Sequence, residues 1–212
     1  MMYHMTHSQC AQDLFVEALT KKKQNGYFVE IGSNHPSIDN NTYLLEKNYN
    51  WKGLLVEYDA SFEPLYHIHR KNSMYAIKDA REVQYKEILD THFPKHIDYL
   101  QIDLEVDNQS TLVTLLLLNE TVLDTYKFAT ITFEHDIYRG DYFDTRNISR
   151  KIFQDRGYIL LFPDVCVFSE GSYKPFEDWY VHPDLVDASL IHKLRTTTSL
   201  TCEEIKRLLE TL

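Results

Sequence analysis

The chain has 212 residues, of which 43% are hydrophobic, and this is enough to bury the core of one domain. Its 22 basic and 32 acidic residues give a formal net charge of -10, which disfavours nucleic acids and anionic membrane surfaces as partners. No stretch approaches the roughly 18 apolar residues that a membrane span needs, so we expect no membrane insertion.

Predicted helices and strands alternate along the chain. The predicted strands are 28–31, 53–56, 75–77, 99–102 and 129–133, and the last ones are 158–162, 165–168 and 179–181. The predicted helices are a first one capped by Ser8, then 42–47, 61–70, 83–91, 112–118 and 147–156, and a last one ending near Leu209. Thr201 and Glu204 predict a capping box at the start of that last helix. This alternation is typical of a parallel sheet covered by helices.

The pattern predicts a single domain with three parts. An N-terminal helical segment, 1–26, packs against the sheet or covers the pocket, and the α/β core spans 27–186. A C-terminal helical extension, 187–212, completes the domain. We expect the extension to be structural because its pattern is that of a capped helix.

The three cysteines are widely spaced along the sequence. Cys10, Cys166 and Cys202 show neither C-x-x-C spacing nor a pairing framework. They are therefore predicted to be reduced thiols in a cytosol-like compartment, which indicates a cytoplasmic protein.

The segment 28–59 carries the strongest local motif. A short apolar strand runs into Gly32 and a polar loop, and a helix leads to a second strand that ends at Glu57. An α/β nucleotide fold keeps a carboxylate for a ribose diol at this second position. The spacing therefore predicts a pocket for a cofactor that contains adenosine.

Acidic side chains follow each of the first five predicted strands. Because ligands in open parallel sheets bind beyond the carboxyl ends of the strands, these acids should line one cleft. An acidic rim favours a positively charged ligand centre over a pyrophosphate, which argues against a dinucleotide. Asp79 is equally suited to cap the next helix, and the acids that flank His135 make this histidine a candidate base. The acids and the histidine at the strand ends are Glu30, Glu57, Asp79, Asp103, Glu134, His135 and Asp136.

Six sequence blocks together carry a family resemblance. The blocks are EIGSNHP (30–36), NTYLLEK (41–47), WKGLLVE (51–57), IDYLQIDLE (97–105), FEHD (133–136) and FEDWYVHP (176–183). In this order they resemble the FkbM-type S-adenosylmethionine-dependent methyltransferases, over about residues 26–186. The resemblance implies a class I, Rossmann-like α/β fold, with a seven-stranded, mostly parallel sheet and helices on both faces. It also implies O-methylation of a sugar or glycan hydroxyl.

The resemblance also implies site residues. One departure is that the loop reads Asn34-His35-Pro36 where the family continues Asn-Asp-Gly, so this loop should be stiffer. The acceptor, a small molecule or an oligosaccharide, is assigned to Glu105, Asp136, Arg139 and Tyr142, in or beside the loops 139–145 and 169–175. The residues implied for S-adenosylmethionine are Glu30, Gly32, Ser33, Asn34, Thr42, Glu57, Tyr58, Asp79, Ala80 and Asp103.

The predicted mechanism is in-line displacement with help from a general base. His135 is the first choice as the base, and Asp103 or Glu134 is the second. A less favoured alternative is a divalent cation held by Asp103, Glu134 and Asp136, since hard cations prefer carboxylate oxygens. Two further alternatives are a non-catalytic module that binds S-adenosylmethionine and a methyltransferase for a non-sugar hydroxyl.

Overall fold

The computed structural model describes residues 6–212, which form a central seven-stranded sheet with the strand order β3-β2-β1-β4-β5-β7-β6. The first five strands are parallel, and β7 is antiparallel to both β5 and β6. This is the predicted seven-stranded, mostly parallel sheet. The strands are β1 (Tyr27–Ile31), β2 (Lys52–Glu57), β3 (Met74–Ile77), β4 (His96–Ile102), β5 (Lys127–Glu134), β6 (Ile159–Ser169) and β7 (Ser172–Val181).

Helices connect the parallel strands, as the alternating pattern predicts. The first helix begins after Ala11, so the prediction that Ser8 caps it is wrong. The capping box of Thr201 and Glu204 is confirmed, whereas the short α7 was not predicted. The helices are α1 (Gln12–Leu19), α2 (Tyr43–Tyr49), α3 (Glu63–His69), α4 (Tyr85–His92), α5 (Ser110–Thr121), α6 (Phe143–Asp155), α7 (Ala188–Leu194) and α8 (Cys202–Leu209).

The sheet separates two hydrophobic cores because successive side chains of a strand point to opposite faces. On the face that we call the α1 face, Trp179 packs against Phe15 of α1 with ring centroids 4.8 Å apart. On the opposite face, which we call the α6 face, Phe133 packs against Phe153 of α6 at 5.9 Å. Two consecutive residues of a strand therefore face different cores and do not meet.

The last two strands form one long hairpin. The predicted strands 158–162 and 165–168 merge into β6, which pairs with β7 through several register shifts. The range 169–175, predicted as an acceptor loop, is mostly strand, and its tight turn lies at Glu170 and Gly171. Both of these residues have positive φ, as two-residue hairpin turns require.

A disulfide joins the two ends of the described chain. Cys10 and Cys202 are bonded, with their Cα atoms 5.0 Å apart, although 192 positions separate them in the sequence. The prediction that all three cysteines are reduced is therefore wrong, and only Cys166 is free. Sequence spacing carried no signal because the pairing depends on the docking of α8 against α1. Disulfides are typical of oxidising compartments, and the cytoplasmic assignment stays a prediction.

Within residues 6–212, no helix combines the length and the apolar character that a membrane crossing requires.

Candidate active site

The carboxyl ends of β1 and β4 approach each other at Gly32. A Cβ atom at this position would lie 1.7 Å from the carbonyl oxygen of Asp103, and Gly32 has a φ of +81°. The Asp103 amide donates to the Ile31 carbonyl at 3.0 Å, which holds the two strand ends together. Only glycine fits here, so the sequence motif marks a true close approach of backbones.

Glu57 ties the loop after β1 to the end of β2. One carboxylate oxygen accepts from the amide of Asn34 at 2.6 Å, and the other accepts from the amides of Tyr58 and Asp59 at 2.8 Å. The carboxylate is partly exposed, and the oxygen that accepts from Asn34 keeps a free lone pair that could accept from a diol. The structure therefore brings together Gly32, Asn34 and Glu57, while the Tyr58 side chain is largely exposed.

Glu30 and Thr42 face the protein interior. The fully buried Glu30 carboxyl accepts from the Thr42 hydroxyl at 2.6 Å and from the Asn41 amide at 3.1 Å. Arg70 of α3 lies 3.9 Å from the same carboxyl. Burial raises the pKa of Glu30 to about 7 despite the Arg70 charge and these hydrogen bonds. These two residues organise the loop from beneath, because their polar atoms are taken up by internal partners.

Ser33 is also turned inward. Its hydroxyl lies 2.6 Å from the Tyr66 hydroxyl and 3.1 Å from the Val56 carbonyl, and its side chain is buried. Of the loop residues that the resemblance implied, Gly32 and Asn34 therefore remain at the surface of the cleft, and the others support the loop.

Asp79 caps a short 3₁₀ turn at the end of β3. Its carboxylate accepts from the backbone amide of Arg81 at 2.9 Å, and the Arg81 guanidinium holds the pKa of Asp79 below its usual value. The adjacent Ala80 is buried, and its carbonyl accepts from the Tyr85 hydroxyl at 3.0 Å. Asp79 therefore acts as the cap that the sequence allowed, and a contact between Asp79 and adenine stays a prediction.

Asp103 and Glu134 form what we call the acid pair. They end the neighbouring strands β4 and β5 on the α1 face, and their carboxyl groups lie close enough to interact directly. Two carboxyl groups can share a hydrogen bond only when one of them carries a proton. Burial raises the pKa of Asp103, and burial together with the Asp103 charge raises the pKa of Glu134 well above the ordinary range. Burial and mutual repulsion therefore both favour the uptake of a proton by the acid pair.

His135 lies on the other side of the sheet from the acid pair. Since side chains alternate, Glu134 points to the α1 face while His135 points to the α6 face. The imidazole is completely buried, with Nε2 3.5 Å from Asp164 and 3.6 Å from Asp178. The expectation that His135 shares a cleft with Asp103 and Glu134 is wrong, because adjacent residues at the end of a strand face opposite ways.

Two arginines neutralise the acids around His135. Arg150 donates to Asp178 at 2.7 and 2.8 Å and lies 2.8 Å from Asp164, and Arg146 lies 3.1 Å from Asp164. Although burial raises it, the hydrogen bonds and the positive charge of Arg150 hold the pKa of Asp178 below its usual range. We call these five residues the arginine cluster.

The predicted metal ligands do not converge. Asp136 has a positive φ of 48° and pairs with Arg139 at 3.0 Å, and Asp103 is engaged with Glu134. Among residues 6–212, the group with metal-like spacing is instead His135, Asp164 and Asp178, whose ligand atoms lie within 4.8 Å of one another. The two guanidinium groups already pair with these carboxylates. The negative charge of the carboxylates is therefore neutralised and does not attract a metal cation.

The residues assigned to the acceptor lie near the acid pair. Arg139 bridges the buried Asp136 and the exposed Glu105, at 3.0 and 3.7 Å. Tyr142 follows the same turn and immediately precedes α6. The structure thus gathers Glu105, Asp136 and Arg139 into one chain of ion pairs beside Asp103 and Glu134.

Sequence reasoning missed three polar residues on the α1 face. Gln101 donates to Asp103 at 3.4 Å and accepts from Asn41 at 2.6 Å, and the buried Glu177 of β7 lies in register with Glu134. The third is Gln12, which donates to Glu177 at 2.8 Å. A usable signal existed for Gln101, because a polar residue between Leu100 and Ile102 is unusual in a buried strand.

No family model matches the sequence, and no curated protein does. Solved structures, in contrast, resemble the fold. A candidate O-methyltransferase from Klebsiella pneumoniae aligns with a TM-score of 0.57 at 14% identity, over 85% of this chain and 83% of that one. A TehB-like SAM-dependent methyltransferase from Corynebacterium glutamicum aligns with a TM-score of 0.50 at 11% identity, over 81% and 87%.

A third structure, of a candidate methyltransferase from Streptococcus mutans in complex with SAH, also gives a TM-score of 0.50, at 10% identity, over 80% of this chain and 96% of that one. At these identities the likeness concerns the fold. The chain has the class I methyltransferase fold, in agreement with the sequence-based expectation.

Proposed function

We propose that this chain is an S-adenosylmethionine-dependent O-methyltransferase that acts on a hydroxyl group of a sugar or glycan. The observation that carries the proposal is the acid pair, Asp103 and Glu134, which ends two central strands of a methyltransferase fold. Among the described residues, no arginine or lysine forms an ion pair with either carboxyl group. Carboxyl groups kept close together without a cationic partner are suited to exchange a proton.

The residues at the strand ends fit S-adenosylmethionine. Glu57 offers an acceptor for the ribose diol, and Gly32 lets the ends of β1 and β4 meet directly beside it. The negative charge of Asp103 and Glu57 suits the amino group and the sulfonium centre of this cofactor. When bound, the cofactor supplies a methyl group that its positive sulfur has already activated.

The chain's own residues would orient the acceptor and take up its proton. The acid pair, with one carboxyl group ionised, accepts the hydroxyl proton as the new bond forms, and the raised pKa values of the two groups make them stronger bases than ordinary carboxylates. Arg139 and Glu105 lie beside it and can hydrogen-bond neighbouring hydroxyl groups. This assignment moves the base from His135 to the acid pair of Asp103 and Glu134.

Two observations favour a sugar over other acceptors. The six sequence blocks resemble the FkbM-type enzymes, and the chain of ion pairs at Glu105, Arg139 and Asp136 offers several polar groups at the mouth of the site. The net charge of -10 disfavours nucleic acid as the acceptor.

Calorimetry with S-adenosylmethionine, followed by a panel of oligosaccharides and simple alcohols scored by mass spectrometry, tests the proposal. We expect binding of the cofactor and a gain of one or two methyl groups on a sugar. Binding without transfer to any acceptor favours a non-catalytic module. The absence of binding would overturn the proposal.

A first prediction concerns the cofactor pocket. Glu57→Ala removes the acceptors for the ribose, so we expect the affinity for S-adenosylmethionine to fall by about 50-fold or more, in line with the loss of hydrogen bonds to a charged group. Calorimetry measures the loss, and Glu63→Ala, an exposed acid on α3, is the matched control. Unchanged affinity in a folded Glu57→Ala protein would place the ribose elsewhere.

A further inference from the structure

The residues 32–42, which we call the cofactor loop, join β1 to α2. Asn34 of this loop is exposed at the cleft and has a φ of +49°, in the left-handed region that residues other than glycine adopt only occasionally. Its amide donates to Glu57 at 2.6 Å. The geometry that the loop offers to a ligand beside Glu57 therefore depends on what holds Asn34 from the protein side.

Tyr66 of α3 holds Asn34 from beneath. The side chain of Tyr66 is completely buried, and its hydroxyl donates to the carbonyl oxygen of Asn34 at 2.7 Å. With this proton used, the Tyr66 oxygen accepts from the Ser33 hydroxyl, which lies 2.6 Å away. Asn34 is thus fixed on both sides, through its amide by Glu57 and through its carbonyl by Tyr66.

Arg70 holds the rest of the cofactor loop. It directly follows α3 and lies on the same side of this helix as Tyr66, which is four positions earlier. Its guanidinium donates to the Pro36 carbonyl at 3.3 Å and to the side-chain oxygen of Asn40 at 2.7 Å. It also donates to the Thr42 hydroxyl at 2.6 Å. One side chain is therefore hydrogen-bonded to three positions along the loop.

The burial of Arg70 is possible because its charge is paired. Its side chain is only 1% exposed, and arginine is almost never fully buried without an acidic partner. Nε donates to the buried Glu46 at 2.9 Å, and Glu30 lies 3.9 Å from the guanidinium. Lysine does not reproduce this arrangement, because an ammonium group is a point charge and has no planar fork of donors.

We propose that Tyr66 and Arg70 are positioning residues that hold the cofactor loop in its binding conformation before S-adenosylmethionine arrives, and that they thereby set the affinity for this cofactor. The inference rests on the proposed binding of S-adenosylmethionine at the loop. A protein whose binding conformation is only partly populated binds its ligand with an affinity reduced by that fraction. A loop that is already held also avoids the cost of ordering on binding.

The first experiment compares Tyr66→Phe with Tyr75→Phe. Tyr66→Phe removes only the hydroxyl that holds Asn34, and we expect the affinity for S-adenosylmethionine to fall about tenfold, which corresponds to about 1.4 kcal/mol and to a binding-competent fraction of about one tenth. Turnover at saturating cofactor should change less than twofold, because Tyr66 is buried beneath the loop and does not face the acceptor.

Tyr75 is the matched control. Its ring packs against Tyr66 with centroids 5.3 Å apart, but its hydroxyl lies 2.7 Å from Nε2 of the exposed His67 and makes no contact with the loop. Tyr75→Phe should therefore bind the cofactor like the wild type. Equal affinities of the two variants in calorimetry would overturn the role of Tyr66.

The second experiment replaces the guanidinium fork. Arg70→Lys keeps a positive charge near Glu46 but removes most of the donors to the loop, so we expect a loss of affinity of about 30-fold or more. Arg156→Lys is the control, because Arg156 also donates to a backbone carbonyl and to an acid but lies away from the loop. Wild-type affinity in a folded Arg70→Lys protein would overturn the role of Arg70.

A change on the loop side tests the same contact if Arg70→Lys does not fold. Asn40→Ala removes one loop partner of Arg70 and leaves the pair with Glu46 intact. The affinity for S-adenosylmethionine should fall in the same direction, with turnover at saturating cofactor again nearly unchanged. An unaltered affinity in Asn40→Ala would contradict the role of Arg70.

Hydrogen exchange of the cofactor-free protein separates this inference from the proposed function. The amides of residues 32–42 should exchange at least about tenfold faster in Tyr66→Phe than in Tyr75→Phe, because the loop opens more often. Faster exchange supports the positioning role even if no methyl transfer is found. Equal exchange in the two variants would overturn it even if S-adenosylmethionine binds.

Discussion

The acid pair and the arginine cluster lie on opposite faces of the sheet, although one member of each, Glu134 and His135, are neighbours in the sequence. Asp103 and Glu134 lie side by side without a cationic partner among the described residues, and their pKa values are raised. In the arginine cluster, Arg146 and Arg150 neutralise Asp164 and Asp178, and the pKa of Asp178 is lowered. The first arrangement suits proton transfer, whereas the second fixes α6 to the hairpin of β6 and β7.

Glu134→Gln should produce the largest effect, because it removes one of the two carboxyl groups that together form the proposed base. We expect turnover to fall by about 10²- to 10⁴-fold, the usual contribution of a general base. The affinity for S-adenosylmethionine should be nearly unchanged in calorimetry, and Glu120→Gln on the exposed side of α5 is the control. A variant that retains wild-type turnover would mean that the acid pair is structural.

Arg150→Met should affect stability. It leaves the fully buried Asp178 without its main partner, and breaking such a pair costs about 3 kcal/mol, at the low end of the usual range because Arg150 is itself partly exposed. Chemical denaturation measures the loss. Lys151→Met, which removes only an exposed pair with Asp155, should change stability by less than about 0.5 kcal/mol. Equal stability of both variants would show that the cluster does not fix α6.

Glu30→Gln tests a third acid. Glu30 is buried, but unlike the acid pair it lies next to an arginine, Arg70. Because folding raises the pKa of Glu30 from 4.5 to about 7, its contribution is fully present below pH 4.5 and is lost as the pH rises through 7. The wild type should therefore lose up to about 3 kcal/mol of unfolding free energy over this interval.

In Glu30→Gln this part of the pH dependence should disappear, and Glu87→Gln, an exposed acid of α4, should keep it. Denaturation curves between pH 4.5 and pH 8 measure both. An identical pH dependence in Glu30→Gln and the wild type would show that Glu30 is already ionised in the folded protein.

His135→Asn should have the smallest effect on turnover. Because His135 lies on the α6 face, we expect a change of less than threefold in turnover, with a loss of about 1 to 2 kcal/mol in stability from altered packing. Steady-state assays corrected for the folded fraction measure the first quantity. A loss of a hundredfold at full occupancy would restore the imidazole as the base.

Much of the fold was predictable because it depends on local patterns. The apolar runs that became β1, β2, β4 and β5 were found within a few residues, and Gly32 and Glu57 marked the two strand ends correctly. The long hairpin was harder to predict because register shifts interrupt its alternation, and α7 was missed because it is short. The local sequence of these segments carried too little periodicity.

The site was predictable only in part. Asp103 and Glu134 were named because acids at the ends of neighbouring parallel strands must lie close together. The same reasoning placed His135 with them, which was wrong because consecutive side chains of a strand point to opposite faces. Gln12 and Glu177 stand 165 positions apart in the sequence, and no spacing rule relates them.

The sequence by itself determined the parallel sheet, the glycine crossing and the acidic ends of the strands, because apolar periodicity and strand termini are local properties of the chain. Only the tertiary structure decided which acids have raised pKa values, which are neutralised by arginine, and that Cys10 meets Cys202. These outcomes depend on the face to which each side chain points and on contacts between distant segments, and both are settled only when the helices pack against the sheet.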